Sequence, residues 1–99
     1  MIISMFRVPV AKGREKDFEA RFQGRARLVD KMKGFIEMAV LRPLQEGSPY
    51  IVYSRWESLE DFRAWTESPE FRRAHEAEPQ GPPLTCGEPK LELYEVALG

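Results

Sequence analysis

Residues 56–75 read WESLEDFRAWTESPEFRRAH, and the way this stretch breaks decides the fold. Ser58 is an N-cap residue type, Glu60 sits in the first turn, and Asp61 stands where a capping box usually has Glu or Gln. Leu59, Phe62 and Trp65 then recur at three-residue steps, one apolar stripe of a helix. Ser68-Pro69 restarts the pattern: the serine caps, and proline takes the first helical position, where its missing N–H is not needed. Phe71, Arg72 and His75 follow at helical spacing. The stretch is therefore two short helices joined by a break, and it holds both tryptophans and the single histidine of the chain.

Upstream lie two strands. Tyr50 to Trp56 sets Ile51 and Tyr53 opposite Val52 and Trp56. Phe35 to Arg42, ended by Pro43, sets Ile36, Met38 and Val40 on one face and Phe35, Ala39 and Leu41 on the other. Leu44 to Pro49, with Gly47-Ser48-Pro49, reads as a hairpin loop, so these strands pair antiparallel. Before them, Phe18, Phe22, Ala26, Val29 and Met32 form a helical stripe within a helix from Arg14 to Lys33. Its other side is charged: Arg14, Glu15, Glu19, Arg21, Arg27 and Lys31. Gly24 in that helix implies a close approach or a bend. Lys31, Lys33 and then Gly34 form a C-terminal signature, cations at the negative end of the dipole before a residue that tolerates positive φ. Ile2 to Val10 is a β-branched and aromatic run, with Pro9 marking an end or an edge.

Downstream, periodicity vanishes from Glu76 to Pro89, a Pro/Gly-rich loop of the length that often forms a lid. Lys90 to Leu98 is a last strand, with Leu91 and Leu93 opposing Tyr94, Val96 and Leu98. The order β-α-β-β-α-β over residues 1–99 predicts one α+β domain of ferredoxin-like topology, a four-stranded antiparallel sheet with helices on one face. The strands carry apolar residues on both faces, whereas a half-solvated sheet alternates. A second copy covering the free face, and so a homodimer, is the expectation.

Composition narrows the function. Charged residues make up 31% with a net charge of −1, so no strong field favours nucleic acid or an anionic membrane. Hydrophobic residues at 42% argue for a folded chain. Cys86 is the only cysteine, which fits a reducing cytoplasm. No apolar run approaches the ~20 residues of a membrane span. MIISMFRVPV lacks the charged-then-apolar order of a signal peptide. Flavin, nicotinamide and phosphate-loop fingerprints are absent, as is a nucleophile elbow.

The candidate chemistry is sparse. His75, ahead of a long loop, fits a ligand to a metal or heme iron, a proton carrier, or a solvated surface residue. One histidine and one cysteine make no zinc site. Trp65 fits a core position or the wall of a cavity beside His75; Trp56, Phe62 and Phe71 read as packing. Arg7 on the first strand needs an anion, either a ligand carboxylate or an internal acid such as Glu37 or Glu95. Arg25 and Arg27 read as a solvated face, and Cys86 as a bystander thiol.

The pattern W-E-S-x-x-x-F-x-x-W-x-x-S-x-x-F-x-x-x-H over Trp56–His75, with RARLVDKMKGFIEMAVLRP over Arg25–Pro43, resembles the antibiotic biosynthesis monooxygenase domain across nearly the whole chain. The heme-degrading branch is the nearest. That resemblance implies a dimeric α+β barrel, heme as ligand, an electron donor as partner, His75 as axial iron ligand and Trp65 against the porphyrin face. The branch commonly has Asn-Arg on its first strand, the asparagine hydrogen-bonding on the oxygen-binding side. Here Phe6-Arg7 stands at that place, and the chain contains no asparagine. Phe6 cannot donate a hydrogen bond; Ser4 shares its face and can hold a water there. Phe6 and Arg7 join His75 and Trp65 as expected ligand contacts.

The wider family also implies an alternative, cofactor-independent oxygenation of quinol or phenolic substrates. A third reading, a non-catalytic dimeric ligand-binding or stress-associated domain, expects a side-chain-filled space between helices and sheet. The dimer is tested by the light-scattering mass at micromolar concentration: twice the chain mass is expected, and a monomer mass contradicts it.

Overall fold

Both caps seen in the sequence form. Ser58, at φ −147°, accepts from Asp61 N at 3.2 Å and opens a helix over Leu59–Thr66. Asp61 is one methylene shorter than the usual capping-box acid, and its carboxylate instead accepts from the Ser58 hydroxyl at 2.9 Å. Ser68 accepts from Phe71 N at 3.1 Å and opens the next helix over Pro69–His75.

The computed structural model describes residues 1–23, 28–75 and 85–99, and for 28 and 73–75 the backbone alone. Its elements are β1 (Ile2–Val8), α1 (Glu15–Gln23), a 3₁₀ turn (Leu28–Lys31), β2 (Phe35–Leu41), β3 (Tyr50–Trp56), α2 (Leu59–Thr66), α3 (Pro69–His75) and β4 (Lys90–Glu95). The sheet order is β2-β3-β1-β4 with every neighbouring pair antiparallel. This is the expected ferredoxin-like fold, with the helices on one face.

Three element ends and the alternation of β2 differ from the sequence reading. The first helix does not run on as α-helix to Lys33: residues 28–31 form the 3₁₀ turn, and short bonds from Met32 N to Val29 O and Phe35 N to Met32 O tighten the exit. Val29 is drawn into the core beside Trp56, which sets that tight turn. Gly24 lies outside the described residues. β1 stops at Val8 because Pro9 has no N–H; Val10 makes only an isolated bridge to Thr85. β4 stops at Glu95, opposite Ile2, since the first strand supplies nothing beyond Met1 O, which accepts from Val96 N; Leu98 is 95% exposed. In β2 a bulge between Phe35 and Glu37 resets the alternation. Phe35 thereby joins Met38 on the helix side, its ring 5.4 Å from that of Trp56, while Ile36 turns outward.

The face away from the helices mixes apolar and paired charged groups. Met5 is level with Tyr53 on one side and Glu92 on the other. Tyr53 donates to Glu37 at 2.8 Å and accepts from Arg55 Nε at 3.0 Å. Leu41 and Tyr94 stay 41% and 50% exposed there.

Among the described residues three turns place glycine at positive φ: Gly13, Gly34 and Gly47. Gly34 (φ +80°) lets Glu57 N bond Gly34 O at 2.8 Å, and a Cβ there would collide with the Asp61 side chain. Gly47 (φ +85°), in the β2–β3 loop, faces open space. Gly47→Ala should therefore cost only the left-handed backbone strain, about 1–2 kcal/mol. Gly34→Ala should cost about 1–3 kcal/mol more, because Asp61 must also move off the α2 cap. Urea unfolding of both variants reads the difference; equal losses would contradict the Gly34–Asp61 contact.

Candidate functional site

The apolar core is in two parts. Val29, Trp56, Phe62 and Trp65 form one cluster, and Val8, Phe18 and Tyr50 the other. Between sheet and helices a cavity of about 490 Å³ separates them and takes lining from both. Its floor centres on Ser4 of β1 and Ser54 of β3, opposite each other in register. Two short side chains at adjacent positions leave the volume that a pair of large apolar residues would fill. Toward the β4 edge the floor continues with Phe6 and Leu91, which remain 37% and 49% exposed.

Trp65 is a buried wall of this cavity, edge-on to Phe71 with ring centroids 5.4 Å apart. The helix break holds this pair. Ser68 donates to Trp65 O at 2.6 Å while accepting from Phe71 N, so one hydroxyl clamps the end of α2 to the start of α3. His75 is the last residue of α3, one turn after Phe71. Its side chain, and residues 76–84 of the expected lid loop, lie outside the described residues. Thr85 and Pro89, at the far end of that loop, do line the cavity. Cys86 N bonds Pro9 O at 2.8 Å, fastening that end to the exit of β1. The Cys86 thiol is exposed.

Strand alternation separates Phe6 from Arg7. Phe6 lines the cavity, whereas Arg7 lies on the opposite face and is ion-paired with Glu92, not with Glu37 or Glu95. The hydrogen bond from Arg7 holds the Glu92 carboxyl below its usual range, and the guanidinium is raised in turn.

A residue that the sequence reading left on the solvated side belongs to the site. Arg21 lines the cavity, and its Nε is buried with no hydrogen-bond acceptor among the described residues. The signal was available: Arg21 is three residues after Phe18, on the flank of the same apolar stripe. An unpaired, buried guanidinium nitrogen is costly unless an anion completes it.

The aim of α1 is set by Glu19. Its carboxylate accepts from Arg42 Nε at 2.7 Å, after the end of β2, and from the hydroxyl of Tyr50, at the start of β3. These bonds, Arg42 first and then Tyr50, lower the Glu19 pKa to about 2. Burial and the neighbouring carboxylate raise that of Tyr50. Among the described residues no three metal-ligating side chains converge, and no helix is long and apolar enough to cross a membrane.

The model of the antibiotic biosynthesis monooxygenase family matches residues 1–77. A heme oxygenase (mycobilin-producing) of Mycobacterium tuberculosis is 33% identical over 97 residues, spanning 98% of this chain and 90% of that protein. A heme-degrading monooxygenase of Shouchella clausii is 31% identical over 100 residues, spanning 99% and 92%. The solved structure of the M. tuberculosis heme-degrader MhuD, with two hemes bound in its active site, superposes with a TM-score of 0.84 at 29% identity, over 100% of this chain and 98% of that one.

The Glu19 contacts make stability depend on pH. The carboxyl is more acidic folded than unfolded, so its contribution is complete above its ordinary value near 4.5 and is lost as pH falls toward about 2. Urea midpoints measured from pH 6 to pH 2 should fall more steeply for the wild type than for Glu19→Gln. Parallel curves would contradict the assignment.

Proposed function

The chain belongs to the antibiotic biosynthesis monooxygenase family, and on that premise we propose that it binds heme between sheet and helices and opens the porphyrin ring oxidatively. The observation that carries this reading is the cavity itself: about 490 Å³, walled by Trp65 and Phe71 and floored by Phe6, with the buried Arg21 Nε lacking an acceptor among the described residues. A flat, mostly apolar macrocycle with carboxylate side groups suits those walls. Its rings displace water from aromatic surface, and a carboxylate answers the Arg21 Nε. The relatives named above add support, since each is described as acting on heme.

Within this reading each residue has a separate task. Heme is the substrate, and its iron supplies the oxygen chemistry. His75 provides a neutral imidazole as iron ligand from the end of α3. Trp65, held by the Ser68 clamp, presses on one ring face. Arg21 fixes the ring's orientation through a carboxylate. An external donor brings electrons. Residues 1–99 act as one domain. A second copy packs on the outer sheet face, where Leu41 and Tyr94 are exposed beside the Arg7–Glu92 pair.

One observation favours a second reading. Phe6 cannot donate a hydrogen bond where the heme-degrading branch has asparagine, so cofactor-independent oxygenation of a quinol or phenol is the alternative. It expects oxygen uptake with such a substrate and no need for heme. The non-catalytic reading expected a filled interior, and the open cavity argues against it.

Hemin titration tests the proposal. Wild type should give a shifted Soret band with saturable binding. His75→Ala should lose that band position. Arg21→Gln should keep it but bind about tenfold to a hundredfold more weakly, the worth of one charged hydrogen bond. A His75→Ala titration indistinguishable from wild type would end the ligand assignment.

A further inference from the structure

Among the described residues, one hydroxyl proton of the cavity floor has no acceptor. Trp56 Nε1 donates to Ser54 Oγ at 2.9 Å, and Ser54 Oγ is hydrogen-bonded to Ser4 Oγ. The indole carries one N–H and each serine one O–H. The indole proton goes to Ser54, and one hydroxyl proton is consumed between the serines. The other hydroxyl proton has no acceptor among the described residues, whichever serine donates to the other. Both serines are buried, and both line the cavity. Each serine oxygen has a partner, but a buried O–H left unused costs free energy that an acceptor in the cavity recovers.

We propose that the Ser4–Ser54 pair, oriented by Trp56, is the hydrogen-bond donor of the cavity floor and grips an acceptor oxygen of whatever small oxygen species or ligand edge lies over it. Ser4 is two residues from Phe6 on the same face of β1, about 7 Å along the strand. The pair therefore offers a neutral donor beside the position where Phe6 offers none. Trp56 anchors the pair: its indole N–H occupies one lone pair of Ser54, and whichever serine donates to the other, one O–H is left over for the ligand. The serines act through a hydrogen bond alone and form no covalent bond.

This inference rests on the heme reading, in which α3 supplies the iron ligand and the sheet faces the other side of the ring. Carbon monoxide on the ferrous heme complex is the probe. A donor to its oxygen weakens the C–O bond and lowers the stretching frequency. Removing one serine leaves the other hydroxyl proton free, so both must change. The isosteric pair Ser4→Val/Ser54→Val and Ser4→Thr/Ser54→Thr differ only in their hydroxyls, so any effect of bulk on folding is common to both, and Ser4→Ala/Ser54→Ala supplies a variant without added methyls. The expected result is a stretch moved to higher frequency in the valine and alanine doubles and near the wild-type value in the threonine double. Carbon monoxide should also leave the valine and alanine doubles up to about tenfold faster. Identical stretches in valine, threonine and wild-type complexes would overturn the proposal while leaving heme binding intact. A wild type with no saturable Soret change would remove the heme reading itself, and this assignment with it, by a visibly different signal.

Discussion

One indole nitrogen organises much of this molecule. Trp56 is the one large side chain among the described residues that is fully buried, and a buried indole N–H needs an acceptor. Phe35 of β2 and Phe62 of α2 pack edge-on around its ring and offer no acceptor. It comes from two residues back on the same strand, where Ser54 turns its hydroxyl to the indole. That requirement places a short polar residue in the middle of an otherwise apolar row, Tyr50, Val52, Ser54, Trp56. Ser4 answers it across the ladder. The result is a low, polar centre in the sheet. The need to satisfy the core's largest side chain and the existence of a cavity thus have a common origin.

The helices respect that gap. α2 and α3 are short because Ser68 and Pro69 end one and start the other, and the Ser68 hydroxyl ties Trp65 O to Phe71 N across the break. A single longer helix would carry one straight stripe; two short ones set Trp65 and Phe71 edge to face as an aromatic wall. At the other end, Glu19 fastens α1 to β2 and β3 and so holds Phe18 and Arg21 over the floor. Core packing at both ends leaves the middle open.

Much of this was legible in the sequence for local reasons. The caps at Ser58 and Ser68, the turn at Gly34 and the hairpin loop rest on short-range chemistry, and they formed where the residues implied. The fold followed from their order. Features that depend on distant partners were not legible. The bulge at Ile36 moves Phe35 to the helix side, and only pairing with β3 reveals it. Arg7 looked like a ligand contact until register placed Glu92 beside it. Arg21 looked solvated because a helical wheel carries no information about the height of the floor beneath. Ser54 drew no notice because its meaning lies in Ser4, fifty residues away. Family resemblance supplied roles for Trp65 and His75 that spacing alone left open.

Function turns on whether this cavity carries out oxidation or only holds a ring. In the proposed reading Phe6 stands where the family resemblance implies a donor on the first strand, while Arg21, Trp65 and the serine pair line the cavity. The direct measurement is a single-turnover reaction of the ferric heme complex with a reductant and oxygen, catalase being present to remove free peroxide, followed by absorption and mass spectrometry. The account predicts loss of the Soret band, release of iron and an open-chain tetrapyrrole. A Soret band that persists, with heme recovered intact, would contradict it.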